Sequence, residues 1–195
     1  MRPSLTVWTV HVRLLRAAYD AAPRGTRADL ERVRDADLLR TEGAAWKLLT
    51  EALPGLDAAD LGRLVPVLYL FRFAAQRAPG ETPFRFGTWL RTALDPTLGA
   101  RLFTRLARAE TADDLTHQVA RVLRAAKGSV EWGALGAELV AWTMGEGARR
   151  RVVADWMMDY YVAPRGDTTD EPHDTNEDDD DDDNDIGSDR PHLGD

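Results

Sequence analysis

Arginines are the side chains of this sequence whose type and spacing could do chemistry. Arg101, Arg105 and Arg108 fall at i, i+4 and i+7, within roughly 60° of one another on a helix at 100° per residue. Arg121 and Arg124 follow at i and i+3, Arg149-Arg150-Arg151 stand together, and Arg24, Arg27, Arg32 and Arg34 surround an early turn. A guanidinium is planar, permanently charged and shaped for bidentate contact with phosphate. Any one of these arginines is equally well explained by an ordinary solvated helix face. The set together describes a surface that tracks a polyanionic backbone. Six tryptophans offer planes on which bases could stack, but Trp8, Trp132, Trp142 and Trp156 sit at core-facing spacing, where packing is the better account.

Other chemistries find little support. Residues 1–165 contain two histidines, His11 and His117, and two serines, Ser4 and Ser129. No His-x-x-x-His pair, P-loop or glycine-rich dinucleotide turn occurs. Asp113-Asp114 is explained by the preference of carboxylates for a helix N-terminus. The aspartate run 178–183 lacks the turn glycine and spaced ligands of a calcium loop. The absence of cysteine removes disulfides, thiol nucleophiles and thiolate zinc sites, and agrees with a reducing cytoplasm. No catalytic residue, metal or cofactor is expected. His11 and Arg13 interrupt any signal-peptide core. The longest apolar run, near Leu64–Phe71, is about eight residues where a membrane span needs ~20.

The net charge of −8 conceals a division. Residues 166–195 hold 14 acidic residues and one basic, Arg190, leaving 24 basic and 19 acidic residues before them. Only Lys47 and Lys127 are lysines. A basic, arginine-rich body therefore precedes a polyaspartate tail. The sequence divides into a helical domain over 1–164 and a disordered acidic tail over 165–195, which has almost no large apolar side chains. Such a tail is long enough to compete with nucleic acid for the body's basic face, or to serve only solubility.

The elements that must position the arginines are helices, since period 3.6 dominates and no alternating strand appears. Leu5, Trp8, Val12, Leu15 and Tyr19 mark a first amphipathic helix, and Thr26 is placed to cap a second. Asp57 caps an apolar helix from Ala58 to about Arg77, which Pro66 must kink or restart. Asp95-Pro96 is a helix start. Thr111 and Asp114 have capping-box spacing, Lys127-Gly128 closes that helix, and Ser129 is placed to cap the next. Arg149–Arg151 open the last helix, where the dipole disfavours cations, so something beyond helix stability should explain them. The expected fold is an all-α bundle of eight or nine helices, as one domain or two lobes meeting near Pro79-Gly80.

Three stretches, in order and similarly spaced, carry a family resemblance. They are Gly25-Thr26-Arg27-Ala28-Asp29-Leu30-Glu31-Arg32-Val33; Phe86-Gly87 through Leu102-Phe103 and Leu106–Asp113; and Val130-Glu131-Trp132 with Arg149–Arg151, Trp156 and Tyr160-Tyr161. Together they resemble the small, CasB-type subunit of the type I-E CRISPR Cascade effector complex, an antiviral ribonucleoprotein. The resemblance implies a wholly helical, non-catalytic subunit. Its partners would be the backbone and large Cascade subunits, a second copy of itself, the guide RNA (crRNA), and the target and non-target DNA strands. It also implies that Arg32, Lys47, Arg101, Arg108, Arg121 and Arg149 contact nucleic acid; helical geometry adds Arg105, Arg124 and Arg150. Glu31-Arg32 departs from the family's paired arginines, and the acidic tail lies outside the family pattern. About six arginine–phosphate contacts to single-stranded DNA would give a log–log salt slope near −4. The alternative is a stand-alone nucleic-acid-binding regulator or chaperone with an autoinhibitory acidic tail.

Overall fold

Ten α-helices and one short parallel bridge account for nearly all the regular structure in residues 4–80 and 83–162, the residues described by a computed structural model. The helices are α1 Leu5–Ala21, α2 Arg24–Arg32, α3 Ala36–Leu39, α4 Gly43–Ala52, α5 Ala58–Leu70, α6 Phe86–Ala93, α7 Pro96–Ala107, α8 Ala112–Ala126, α9 Trp132–Trp142 and α10 Glu146–Tyr161. The fold is all-α, as the periodicity predicts. The helix beyond the expected eight or nine is the single-turn α3, which Asp35 caps by accepting from Asp37 N at 2.9 Å. The acidic stretch read above as a disordered tail lies outside the described residues.

One continuous core joins every helix, with no break near Pro79-Gly80 that would make two lobes. Its centre is α9, which buries Trp132, Leu135, Leu139, Val140 and Trp142 and is apolar almost all round. Against it pack α1, through Trp8, Val12, Leu15 and Tyr19, then α5 and α10. Leu5 is the one member of the expected α1 series left exposed, in the helix's first turn. Helix α10 closes over α6 at Gly87, where a Cβ would meet Trp156 O at 2.3 Å and Tyr160 N at 2.8 Å. Only a residue without a side chain lets the two backbones approach so closely.

Several local expectations are corrected. Helix α2 begins at Arg24 with Pro23 as its N-cap residue, so Thr26 lies inside the helix instead of capping it. Helix α5 continues through Pro66 without restarting. Proline leaves the carbonyl four residues earlier without its helical donor; that carbonyl belongs to Gly62, and the Arg40 guanidinium reaches it at 3.4 Å. Helix α5 stops at Leu70, well short of Arg77, and a 3-10 turn over Phe71–Phe73 follows. Next come β1 (Ala75–Gln76) and its parallel partner β2 (Ser129–Val130), paired Ala75 to Ser129 and Gln76 to Val130. Ser129 is therefore a bridge residue. The cap of α9 is Glu131, whose two carboxylate oxygens accept from Gly133 N at 3.0 Å and Ala134 N at 2.8 Å.

Candidate nucleic-acid interface

Helix α7 is built to show arginines. Asp95 accepts from Thr97 N and Leu98 N at 3.0 and 3.1 Å, and Pro96 occupies the first turn, so the helix starts sharply. Gly99, Leu102, Phe103 and Leu106 face the core. The opposite side carries Arg101 and Arg105, and Arg108 is the C-cap residue. All three are exposed, and none makes an ion pair or side-chain hydrogen bond among the described residues. No described residue competes for their donors.

Helix α8 is capped by Thr111, which accepts from Asp114 N at 3.1 Å, and ends at Lys127 in the left-handed conformation. Arg121 is exposed and unpaired among the described residues. Arg124 is exposed but lies 4.2 Å above the ring of Phe73, a cation–π contact that leaves its edge donors to solvent.

Of the three cations opening α10, Arg149 and Arg150 have partners within the fold, and Arg151 is exposed with none among the described residues. Gly145, with φ of +127°, lets the chain enter the helix at a backbone angle that side chains strain. Arg149 donates to Glu110 O at 2.9 Å and lies 5.5 Å over Trp142. Arg150 pairs with Glu146 one turn earlier. These contacts offset the unfavourable dipole and tie the start of α10 to the end of α7. Arg108, Arg149 and Arg150 thereby converge on one groove, floored by Val153, Ala154 and Met157. At the far end of α10, Tyr160 stacks on Phe103 with centroids 4.7 Å apart, and Tyr161 stays 60% exposed. Arginine donors and a largely exposed tyrosine, in edge contact with Phe103 and Tyr160, thus lie along the same pair of helices.

The remaining predicted positions do not join that groove. Arg32 is paired with Asp29 at 3.0 Å on α2, and Lys47 lies 4.0 Å from Glu51 on α4. Both pairs are exposed and leave the cations largely available, since such pairs contribute ~0–1 kcal/mol.

Some functional-looking arginines are instead structural ties. Arg72 donates to the carbonyls of Tyr69 (3.0 Å), Glu31 (2.7 Å) and Val33 (2.7 Å), and burial holds its pKa below the usual value. Arg16 donates to Phe71 O at 2.9 Å and to Ala74 O at 3.3 Å while pairing with Asp20. No charge count separates these from the α7 set, because their acceptors are backbone carbonyls brought in by the fold. Sequence reasoning also passed over Glu138. Its carboxyl is enclosed between α9 and α10, although the residue keeps some contact with solvent. Desolvation raises its pKa to about 7, despite the hydrogen bond it accepts from Trp156 Nε1 at 2.7 Å.

The family described as CRISPR-associated protein Cse2 matches residues 26–161, from α2 to the last residue of α10. The chain belongs to that family. The Cse2 match contains every arginine of the α7–α10 groove and all three stretches of the resemblance, apart from Gly25 at its edge. Among solved structures, a chain of E. coli Cascade bound to a PAM-containing double-stranded DNA target is similar, with a TM-score of 0.57 and 22% identity. The likeness covers 76% of this chain and 95% of that one. CasB from Thermobifida fusca is also similar, with a TM-score of 0.53 and 17% identity over 81% of this chain and 97% of the other. These likenesses concern the fold. No curated protein matches.

Proposed function

We propose that this Cse2-family chain is a non-catalytic subunit of a CRISPR Cascade complex, and that its α7–α10 surface holds the backbone of a displaced or guide-paired strand. The observation that carries the reading is the row of three guanidiniums, Arg101, Arg105 and Arg108, that the fold leaves exposed and unpaired among the described residues. In RNA-guided recognition, base pairing reads the sequence and the protein supplies backbone charge. Because exchanging one duplex for another is nearly balanced in energy, a few phosphate contacts are enough to tip it. Arg121, Arg124, Arg149 and Arg150 extend the surface, and Tyr161 supplies a stacking plane. Arg32 and Lys47 belong to a separate surface that the same complex would engage.

The partners under this reading are the other Cascade subunits, the guide RNA and both DNA strands, in the cytoplasm. No described helix is long and apolar enough to cross a membrane. The role rests on residues 1–164, and 165–195 is an acidic appendage to it. The test is reconstitution with the other subunits of a type I-E Cascade complex. Expected is stable incorporation, faster R-loop formation on a supercoiled target, weak binding of the free chain to single-stranded DNA, and no cleavage by the chain alone. Tight binding alone without incorporation would instead establish a stand-alone regulator.

A further inference from the structure

Helix α1 is apolar on two opposite sides, and the fold uses only one of them. Trp8, Val12, Leu15 and Tyr19 are buried. About 200° away, at 100° per residue, lie Val7, Val10, Leu14, Ala17 and Ala21, all exposed. Val7, Val10 and Leu14 keep 40%, 49% and 51% of their surface open. Single exposed hydrophobic residues are ordinary and need no account. These five follow the 3-4-3-4 spacing of a heptad seam, with no charged residue among them. The seam covers 14 residue steps, about 21 Å at 1.5 Å per residue. At its end Ala21 enters a groove between α1, α2 and α4, walled by Ala18, Ala22, Ala44 and Leu48.

We infer that this seam is the docking site for one amphipathic helix of a neighbouring subunit, roughly four turns long, which packs its apolar a and d residues along α1. The inference rests on the proposed role as a subunit of a larger assembly. Area decides between a single helix and a second copy of this chain. Five exposed side chains, two of them alanines, present on the order of 300 Å² or less, well under the ~800 Å² per partner of a stable protein pair. A single helix needs no more, because other contacts of the assembly hold it at high effective concentration. The seam also tapers, with Val7, Val10 and Leu14 at one end and alanines at the other. The partner helix should therefore carry small residues opposite Leu14 and large ones, Leu or Phe, opposite Ala17 and Ala21. Rim charges are mixed (Arg13, Asp20, Lys47, Glu51), so recognition at this face is apolar and differs in kind from the α7 surface.

The experiment combines Val10→Glu and Leu14→Glu in the full chain and measures incorporation into a complex pulled down through a tagged neighbouring subunit. Both positions are solvent-facing, so the melting temperature and the free chain's affinity for single-stranded DNA should stay at wild-type values. Incorporation should drop at least tenfold. In parallel, a photo-crosslinker at position 14 of the otherwise unchanged chain should attach to a helical segment of another subunit. Undiminished incorporation of the double variant, or a crosslink only to a second copy of this chain, overturns the inference. If the unsubstituted chain fails to enter the complex, the functional reading falls first and takes this one with it.

Discussion

Replacing Arg101, Arg105 and Arg108 together by alanine should change the salt dependence of nucleic-acid binding while leaving the fold intact. The three span seven helical steps, about 10 Å at 1.5 Å per residue, and each reaches solvent unpaired among the described residues. If each neutralises one phosphate of a single strand, each contributes about −0.7 to the log–log slope, so the set contributes about −2. Between about 50 and 200 mM salt, a fourfold change, a slope difference of about 2 makes the wild-type chain lose roughly 20-fold more affinity than the variant. Alanine and arginine are both good helix formers, and exposed substitutions of this kind change stability by about 0.5 kcal/mol or less. Fluorescence anisotropy with a labelled single strand, repeated across the salt series, reads the slope directly. A triple variant with the wild-type slope and a wild-type melting curve would refute the assignment of α7 as the phosphate-tracking element.

Two further outcomes follow from the packing. Glu138 has a folded pKa of about 7 against an ordinary 4.5, so its contribution is fully present below pH 4.5 and is lost as pH rises through 7. The loss amounts to about 3 kcal/mol at most, a ceiling because the residue keeps some solvent contact. Glu138→Gln retains an acceptor for Trp156 and should flatten the fall in stability between pH 5 and 8, measured by urea denaturation. Gly87→Ala forces a methyl group into the backbone of α10 and should cost about 3 kcal/mol. Calorimetry should show a lowered melting temperature, and an unshifted transition would contradict the close contact of α6 with α10.

Much of this was legible in the sequence wherever a local signal coincides with a local interaction. Asp57, Asp95 and Thr111 cap the helices they precede, because capping needs only a side-chain oxygen and the next turn's N–H groups. Trp8, Trp132, Trp142 and Trp156 are buried, as their spacing predicts. Two of the misreadings involve partners distant in sequence, whereas Thr26 is misplaced only by the earlier start of α2 at Arg24. Pro66 is tolerated because Arg40, 22 residues before Gly62, supplies a donor to the orphaned carbonyl. Ser129 fails as a cap because it pairs with Ala75, and Glu131 takes the role while also binding Arg13 at 3.1 Å.

The same distinction governs how a basic composition should be converted into a binding surface. Arginine has five donors in a rigid fork and serves equally well to collect main-chain carbonyls or phosphate oxygens. Arg16 and Arg72 do the former, closing the turn after α5 and the segment between α2 and α3, and their charge is not free to move toward a ligand. Arg149 is intermediate, since one donor fixes α10 to Glu110 while its neighbours face the groove it shares with Arg108 and Arg150. Only where the fold supplies no acceptor, as along the outer face of α7, is the whole fork available. The arginine count therefore overstates the interface. Under the proposed reading, the row of free guanidiniums along α7 is shorter than the sequence suggests, and that row sets the expected slope.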